Sequence, residues 1–196
     1  DWLYRARKAL GRLRAAAAAA LLVLGVGTAG LLATLAQAAE ARRAERAATA
    51  TAEFVLDLFR ANDPAENRGE EIPVREILER GVERTRALEG EPLLRARLLE
   101  VLGSVYFGLG RFERSAALWQ ESLDLLAAGE PRGRSQRERA ASLRDDLGVA
   151  LLELGRLDEA GPLLERALAE RRELFGDRHP EVAESLVHMG QLRLVQ

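Results

Sequence analysis

LGSVYFGLGRFERSAALWQESL at 102–123 and LGVALLELGRLDEAGPLLERAL at 147–168 align with each other without a gap. Each opens on Leu-Gly and carries Leu-Gly-Arg plus an apolar residue at the same offset. Each then places a small residue (Ser115, Ala160) four positions before a large one (Trp119, Leu164), and closes on a second small residue and Leu (Ser122-Leu123, Ala167-Leu168). Apolar residues recur at spacings of three and four, the period of a helix with one buried face. Gly110 and Gly155 interrupt that period midway and reverse the chain, so each copy reads as two antiparallel helices. Gly103, Ser115 and Ser122 are small where the two helices must approach, while Leu102, Tyr106 and Trp119 fill the remaining volume. One hairpin of this kind cannot cover its own apolar face, so neighbouring copies must stack.

A third copy opens in GDRHPEVAESLVHMGQL at 176–192, where Met189-Gly190 repeats the Leu-Gly opening. No alternating run of β-branched residues suggests a strand, so the class is all-α.

These residues resemble the tetratricopeptide repeat (TPR), with its small positions occupied by Gly103, Ser115 and Ser122, then by Gly148, Ala160 and Ala167. Leu151 departs from the family pattern, which usually has an aromatic there. Arg144 stands where a large apolar residue is usual, and no Pro closes either copy. The third copy follows at more than the usual ~34-residue period. It resembles the longer kinesin-light-chain-like repeats, whose Gly-x-x-His-Pro-x-Val-Ala element is matched by Gly176, His179, Pro180, Val182 and Ala183. The resemblance implies an α-solenoid of antiparallel helix pairs with a concave groove lined by the first helix of each pair. The groove residues expected to meet a protein or peptide partner are Arg97, Glu100, Ser104 and Phe107, then Asp145, Val149 and Leu152, then Glu184 and Gln191. An alternative is that several of them pack on the next repeat instead.

Local signals refine the helix ends. Ser135 with Glu138 reads as a capping box, and Pro180 suits a first helical turn. Pro162 is expected in the first turn after Leu157-Asp158, where its missing N–H has no intrahelical partner.

The rest of the composition narrows the chemistry. With 29 basic and 31 acidic residues interspersed, the chain has no field that would gather nucleic acid. It has no Cys, and its two His residues, His179 and His188, are not at a same-face ligand spacing, so no metal site is expected. The sequential pairs Glu70-Glu71 and Asp145-Asp146 point in different directions on a helix and read as solvated. No Ser stands with a His and an acid in a recognisable arrangement. No Gly-rich phosphate loop, His-Arg-Asp or Asp-Phe-Gly sequence occurs. No catalytic residue and no cofactor are therefore expected. The stretch 130–144, with Arg132, Arg134, Arg137 and Arg139, reads as a solvated inter-repeat loop, an acidic partner being the functional alternative.

Before the repeats the chain changes character. Residues 15–39 contain no charge, and at about 1.5 Å per residue they are long enough to cross the roughly 30 Å hydrocarbon core as a transmembrane helix. The division that follows is a basic juxtamembrane segment 1–14, a span 15–39, a connecting helix 40–61, a polar loop 62–72, an irregular helix 73–91 packing on the array, and the array itself at 92–196, with two full repeats and the start of a third. A cleaved secretory signal ending near Ala36-Gln37-Ala38 and an Ala-rich soluble helix are the competing readings. Arg5, Arg7, Lys8, Arg12 and Arg14 outweigh Arg42, Arg43 and Arg46, placing the N-terminal side in the cytoplasm and the repeats outside it. Gly25, Ala29 and Ala33 form a small-residue stripe that offers a homodimer contact, against a lipid-facing alternative.

YRARKALGRLR at 4–14, EFVLDLFRANDPAENRGEEIPVREILERG at 53–81 and the repeats together resemble the region behind the kinase domain of bacterial membrane-anchored serine/threonine protein kinases. The chain opens on Asp1 and stops in a helical pattern, which reads as a fragment of a longer protein. The resemblance implies a cytoplasmic kinase before Asp1 and a sensory or interaction domain here. The alternative is a secreted or anchored TPR scaffold with no kinase attached.

Overall fold

The structure, a computed structural model, describes residues 73–88, 90–128 and 133–196, with 49–54 and isolated positions between 28 and 42. The chain divides into two units, Asp1–Thr49 and Ala50–Gln196. In the first, the described positions are helical, and Thr34 donates to the Leu31 carbonyl at 2.8 Å. Among the described residues no helix is long and apolar enough to cross a membrane. The segment expected to do so, 15–39, falls largely outside the described residues. So do 1–14, most of the connecting helix 40–61 and all of the loop 62–72.

The second unit carries the repeats. Helix α1, Val74–Arg86, opens after Pro73 with Glu76 in its first turn and Arg84 and Arg86 in its last, charges that complement the helix dipole. It is a regular helix rather than the irregular one expected. Leu78 and Val82 recur on one face and join a core with Leu99, Leu102, Tyr106 and Leu118, to which Phe54 adds. Glu79 on α1 accepts from the Tyr106 hydroxyl at 3.0 Å and from Arg114 at 2.5 Å.

Next come α2, Pro92–Gly108, and α3, Phe112–Ala128. Then follow α4, Arg134–Glu153, α5, Leu157–Phe175, and α6, Pro180–Val195. Successive helices pack on one another, and α6 also touches α4. No strand occurs among the described residues. The two hairpin turns are the same device. Gly110 and Gly155 take φ of 69° and 70°, which L side chains avoid, and the Arg that follows each donates to a carbonyl five residues back at 2.9 Å (Arg111 to Tyr106, Arg156 to Leu151).

Inside each hairpin a glycine admits a large side chain. A Cβ on Gly103 would stand 2.5 Å from Trp119 Nε1, and one on Gly148 would stand 2.7 Å from Leu164 Cγ. Ser122, buried with Ser115, donates to the Ala96 carbonyl at 2.8 Å, while Ala160 and Ala167 occupy the matching positions in the next repeat. Leu98, Leu99, Leu102, Leu118, Leu143 and Leu164 are fully buried, each stabilising by about 1.5–3 kcal/mol.

Three local expectations are corrected. Gly133, not a serine, precedes α4, which has no side-chain cap. Ser135 already lies inside the first turn, and Glu138 pairs instead with Arg134 at 2.7 Å. Pro162 sits inside α5, in its second turn, not its first. It is tolerated because the carbonyl it leaves without a partner, at Asp158, belongs to an exposed residue that water can serve. From Arg134 onward the expected inter-repeat loop is helix, and its arginines are occupied. Arg137 pairs with Glu173 at 2.5 Å, and Arg144 pairs with Glu170 where the repeat usually has an apolar residue. Pro180 does open α6, with His179 as its cap, the ring Nδ1 accepting from the Glu181 N–H at 3.3 Å.

Candidate protein-binding face

The first helices of the repeats, α2, α4 and α6, are tied to one another by charged groups. Between α2 and α4, Arg139 Nε stands 3.6 Å from Glu100 Oε2, an oxygen that is buried and makes no hydrogen bond. Between α4 and α6 the tie centres on the fully buried Asp145, with Ser185 buried beside it and His188 half-buried. Asp145 accepts from Ser185 Oγ at 2.7 Å, and its other oxygen is 2.7 Å from His188 Nδ1.

Arg171 of α5, only 2% exposed, completes this network. Its Nη1 donates to the Glu181 carbonyl at 2.9 Å and to Ser185 Oγ at 2.8 Å, and lies 3.2 Å from Glu184 and 3.3 Å from Asp145. Its Nη2 is 3.0 Å from the Glu181 carboxylate. An arginine carried this deep needs such a set, because an uncompensated buried charge is strongly destabilising.

Electrostatics on the face follow from the crowding of carboxylates. Burial, with Asp145, Glu100 and Glu184 nearby, pushes the Asp146 carboxyl up to about 7, against the opposing pull of Arg171. Burial also raises Glu100, which Arg139 and Arg97 counteract. The hydrogen bond to Asp145 raises the His188 imidazole above its ordinary value.

These shifts set a pH dependence of one sign. A group whose folded pKa is raised contributes its stability below the unfolded value and loses it as pH rises through the folded one. For Asp146 the window runs from 3.8 to about 7, and for His188 it begins near 6.5. Replacing Asp146 by Asn is therefore expected to stabilise the protein by about 1–2 kcal/mol at pH 8 and by nothing measurable at pH 4. Urea unfolding at the two pH values checks this, and a destabilised variant at pH 8 would contradict it.

The structure separates the residues expected to meet a partner into two groups. Asp145 is fully buried in the ion network, not solvated as its sequential pairing with Asp146 suggested. Phe107 packs edge-on to Phe112 at 5.1 Å and against Trp119 at 5.6 Å, and Val149 and Leu152 pack on the same core. Arg97 and Glu100 are half-buried, and Ser104, Glu184 and Gln191 are exposed. Asp146, Arg139 and His188 belong with this second group; of these only Arg139 had been considered for partner contact, as part of the stretch 130–144. One signal was available. Arg171 stands on the stripe of Leu164, Ala167 and Leu168, where a charge demands a buried counter-ion.

Residues 138–195 match the family model described as tetratricopeptide repeat. The match takes in nearly all of α4 and the whole of α5 and α6, so the TPR pattern holds through the second repeat and the start of the third. The crystal structure of BtubC (BKLC) from P. vanneervenii is similar in fold, with a TM-score of 0.52 at 18% sequence identity, covering 76% of this chain. This chain spans 65% of that structure's length. At that identity the likeness concerns the fold alone. No curated protein matches the chain.

Proposed function

We propose that this chain is a non-catalytic TPR module that binds a protein or peptide partner on the face formed by α2, α4 and α6. The observation that carries the reading is the set of carboxylates on those helices: Glu100, whose Oε2 is buried without a hydrogen bond, the half-buried Asp146 and the exposed Glu184. A basic side chain placed there relieves the crowding of carboxylates, so the partner is one that presents Arg or Lys, with the exposed Ser104 and Gln191 supplying hydrogen bonds at the rim. Peptides displayed in random sequence and selected on the 196-residue chain are expected to be enriched in Arg and Lys and to be lost with Glu184→Arg. Selection of acidic or purely apolar peptides would overturn the reading.

The wider setting we propose is a module tethered to the membrane through 15–39, extracytoplasmic, and attached to a bacterial serine/threonine protein kinase whose catalytic domain precedes Asp1. The uncharged run, the excess of basic residues before it, and the resemblance of 4–14 and 53–81 to such kinases support it. Protease added outside intact cells is expected to digest the repeats, and their protection would reverse the orientation.

A further inference from the structure

Two residues before Gly103, Gly148 and Gly190 stand Val101, Asp146 and His188, one on each first helix and all half-buried. The shared register brings Asp146 and His188 onto the same line of the face, across the contact of α4 with α6 where His188 Nδ1 reaches Asp145 at 2.7 Å.

That bond decides which nitrogen is free. Asp145 accepts from Ser185 and faces Arg171, so the neutral His188 ring carries its proton on Nδ1 and keeps its lone pair on Nε2. Nε2 makes no hydrogen bond among the described residues, and 19% of the side chain remains open. The Asp146 carboxylate likewise has no hydrogen bond or ion pair among the described residues. Each group can therefore take up a proton without breaking a bond to its neighbours.

We infer that His188 and Asp146 form a proton gate on this face, which admits the cationic side chain of a partner when both are deprotonated and rejects it when both are protonated. The gate rests on the cationic-partner reading proposed above and adds regulation to it. Protonation takes Asp146 from negative to neutral and His188 from neutral to positive, and it turns Nε2 from an acceptor into a donor. Other charged groups bear on the pair from every helix packed there: Glu100 of α2, Asp145 of α4, Arg171 of α5 and Glu184 of α6. Arg171 is held by Asp145, Glu181 and Glu184, and Glu100, raised by burial, changes in the same sense as Asp146. Asp146, pushed up to about 7, and His188, raised by its bond to Asp145, centre the change near neutral pH. A cation bound beside them expels their protons, so its affinity rises by up to about tenfold per pH unit for each proton released.

A fluorescent hexa-arginine peptide, whose own charge is constant across this range, tests the gate when titrated with the 196-residue chain at pH 8 and pH 5.5 and one ionic strength. Its affinity is expected to be at least about tenfold weaker at pH 5.5. His188→Gln, which keeps a donor for Asp145, should bind as well as the natural sequence at pH 8 and lose less at pH 5.5. Asp146→Asn should bind weakly at both, although it is expected to be the more stable protein at pH 8, so unfolding does not account for its loss. In the double variant the ratio of the two affinities should fall towards one, whereas Glu184→Gln should weaken both and preserve their ratio. Equal affinity at the two pH values, or a ratio that neither His188→Gln nor Asp146→Asn changes, overturns the gate and leaves the cationic-partner reading standing. Absence of binding at pH 8 overturns that reading and the gate with it.

Discussion

Replacing Asp145 by Ala is expected to destabilise the protein by about 3–5 kcal/mol, the largest effect of any single substitution considered. The carboxylate is fully buried, and three groups converge on it: Ser185 Oγ, His188 Nδ1 and Arg171 Nη1. Its loss leaves a guanidinium 2% exposed with Glu181 and Glu184 as its remaining carboxylates, both more open to solvent than Asp145. The damage should be local in origin, because the network joins α6 to α4 and α5. Amide exchange in α6 is expected to rise before exchange in α2 and α3 does. Removing both charges with Asp145→Leu and Arg171→Met should cost less than the sum of the single changes, since no buried charge is then left alone. Urea unfolding of the three variants measures all of this, and a loss below about 1 kcal/mol for Asp145→Ala would mean that the network is solvated.

The second large effect separates three glycines that look alike in the sequence. Gly103→Ala is expected to cost about 2–3 kcal/mol, Gly148→Ala about 1–2, and Gly190→Ala is expected to stabilise by about 0.5–1. At Gly103 the new methyl would stand 2.5 Å from Trp119 Nε1 and 2.6 Å from Cδ1. The indole cannot retreat easily. It is 3% exposed, leans on Phe107, and donates to the Glu100 carbonyl at 3.1 Å. At Gly148 the obstacle is the Leu164 side chain, which has rotamers to try. At Gly190 there is no obstacle, so only the gain in helix propensity remains. Unfolding midpoints of the three variants give the order directly, and a neutral Gly103→Ala would show that the close approach of α2 and α3 is not held by the indole.

Much of the fold was legible because its determinants are local or repeated. The spacing of Leu102, Tyr106, Trp119 and Leu123 marks helices and their buried faces, and the two gap-free copies expose the hairpin as the unit. Gly110 and Gly155 mark the turns because few other residues take a positive φ. The site was legible only in part. Picking groove residues needs the rotational phase of each helix to within a fraction of a turn, and a small error in phase carries Asp145 from the surface to the interior while bringing Asp146 outward. Helix starts slip in the same way. Ser135 with Glu138 satisfied the capping pattern, yet the cap position is Gly133, two residues earlier, and α4 begins at Arg134.

By itself, the sequence determined the all-α class, the paired helices, the glycine seats and the turns, since each depends on residues within one hairpin. Tertiary structure decided the rest. Asp145 meets Ser185 and His188, 40 and 43 residues away, only because α6 stacks against both α4 and α5, and Arg144 tolerates an apolar position only because Glu170 lies opposite it. It also decided what fills each glycine seat, because Gly103 and Gly148 share one local pattern and differ in the side chain that lies upon them, Trp119 in one repeat and Leu164 in the next.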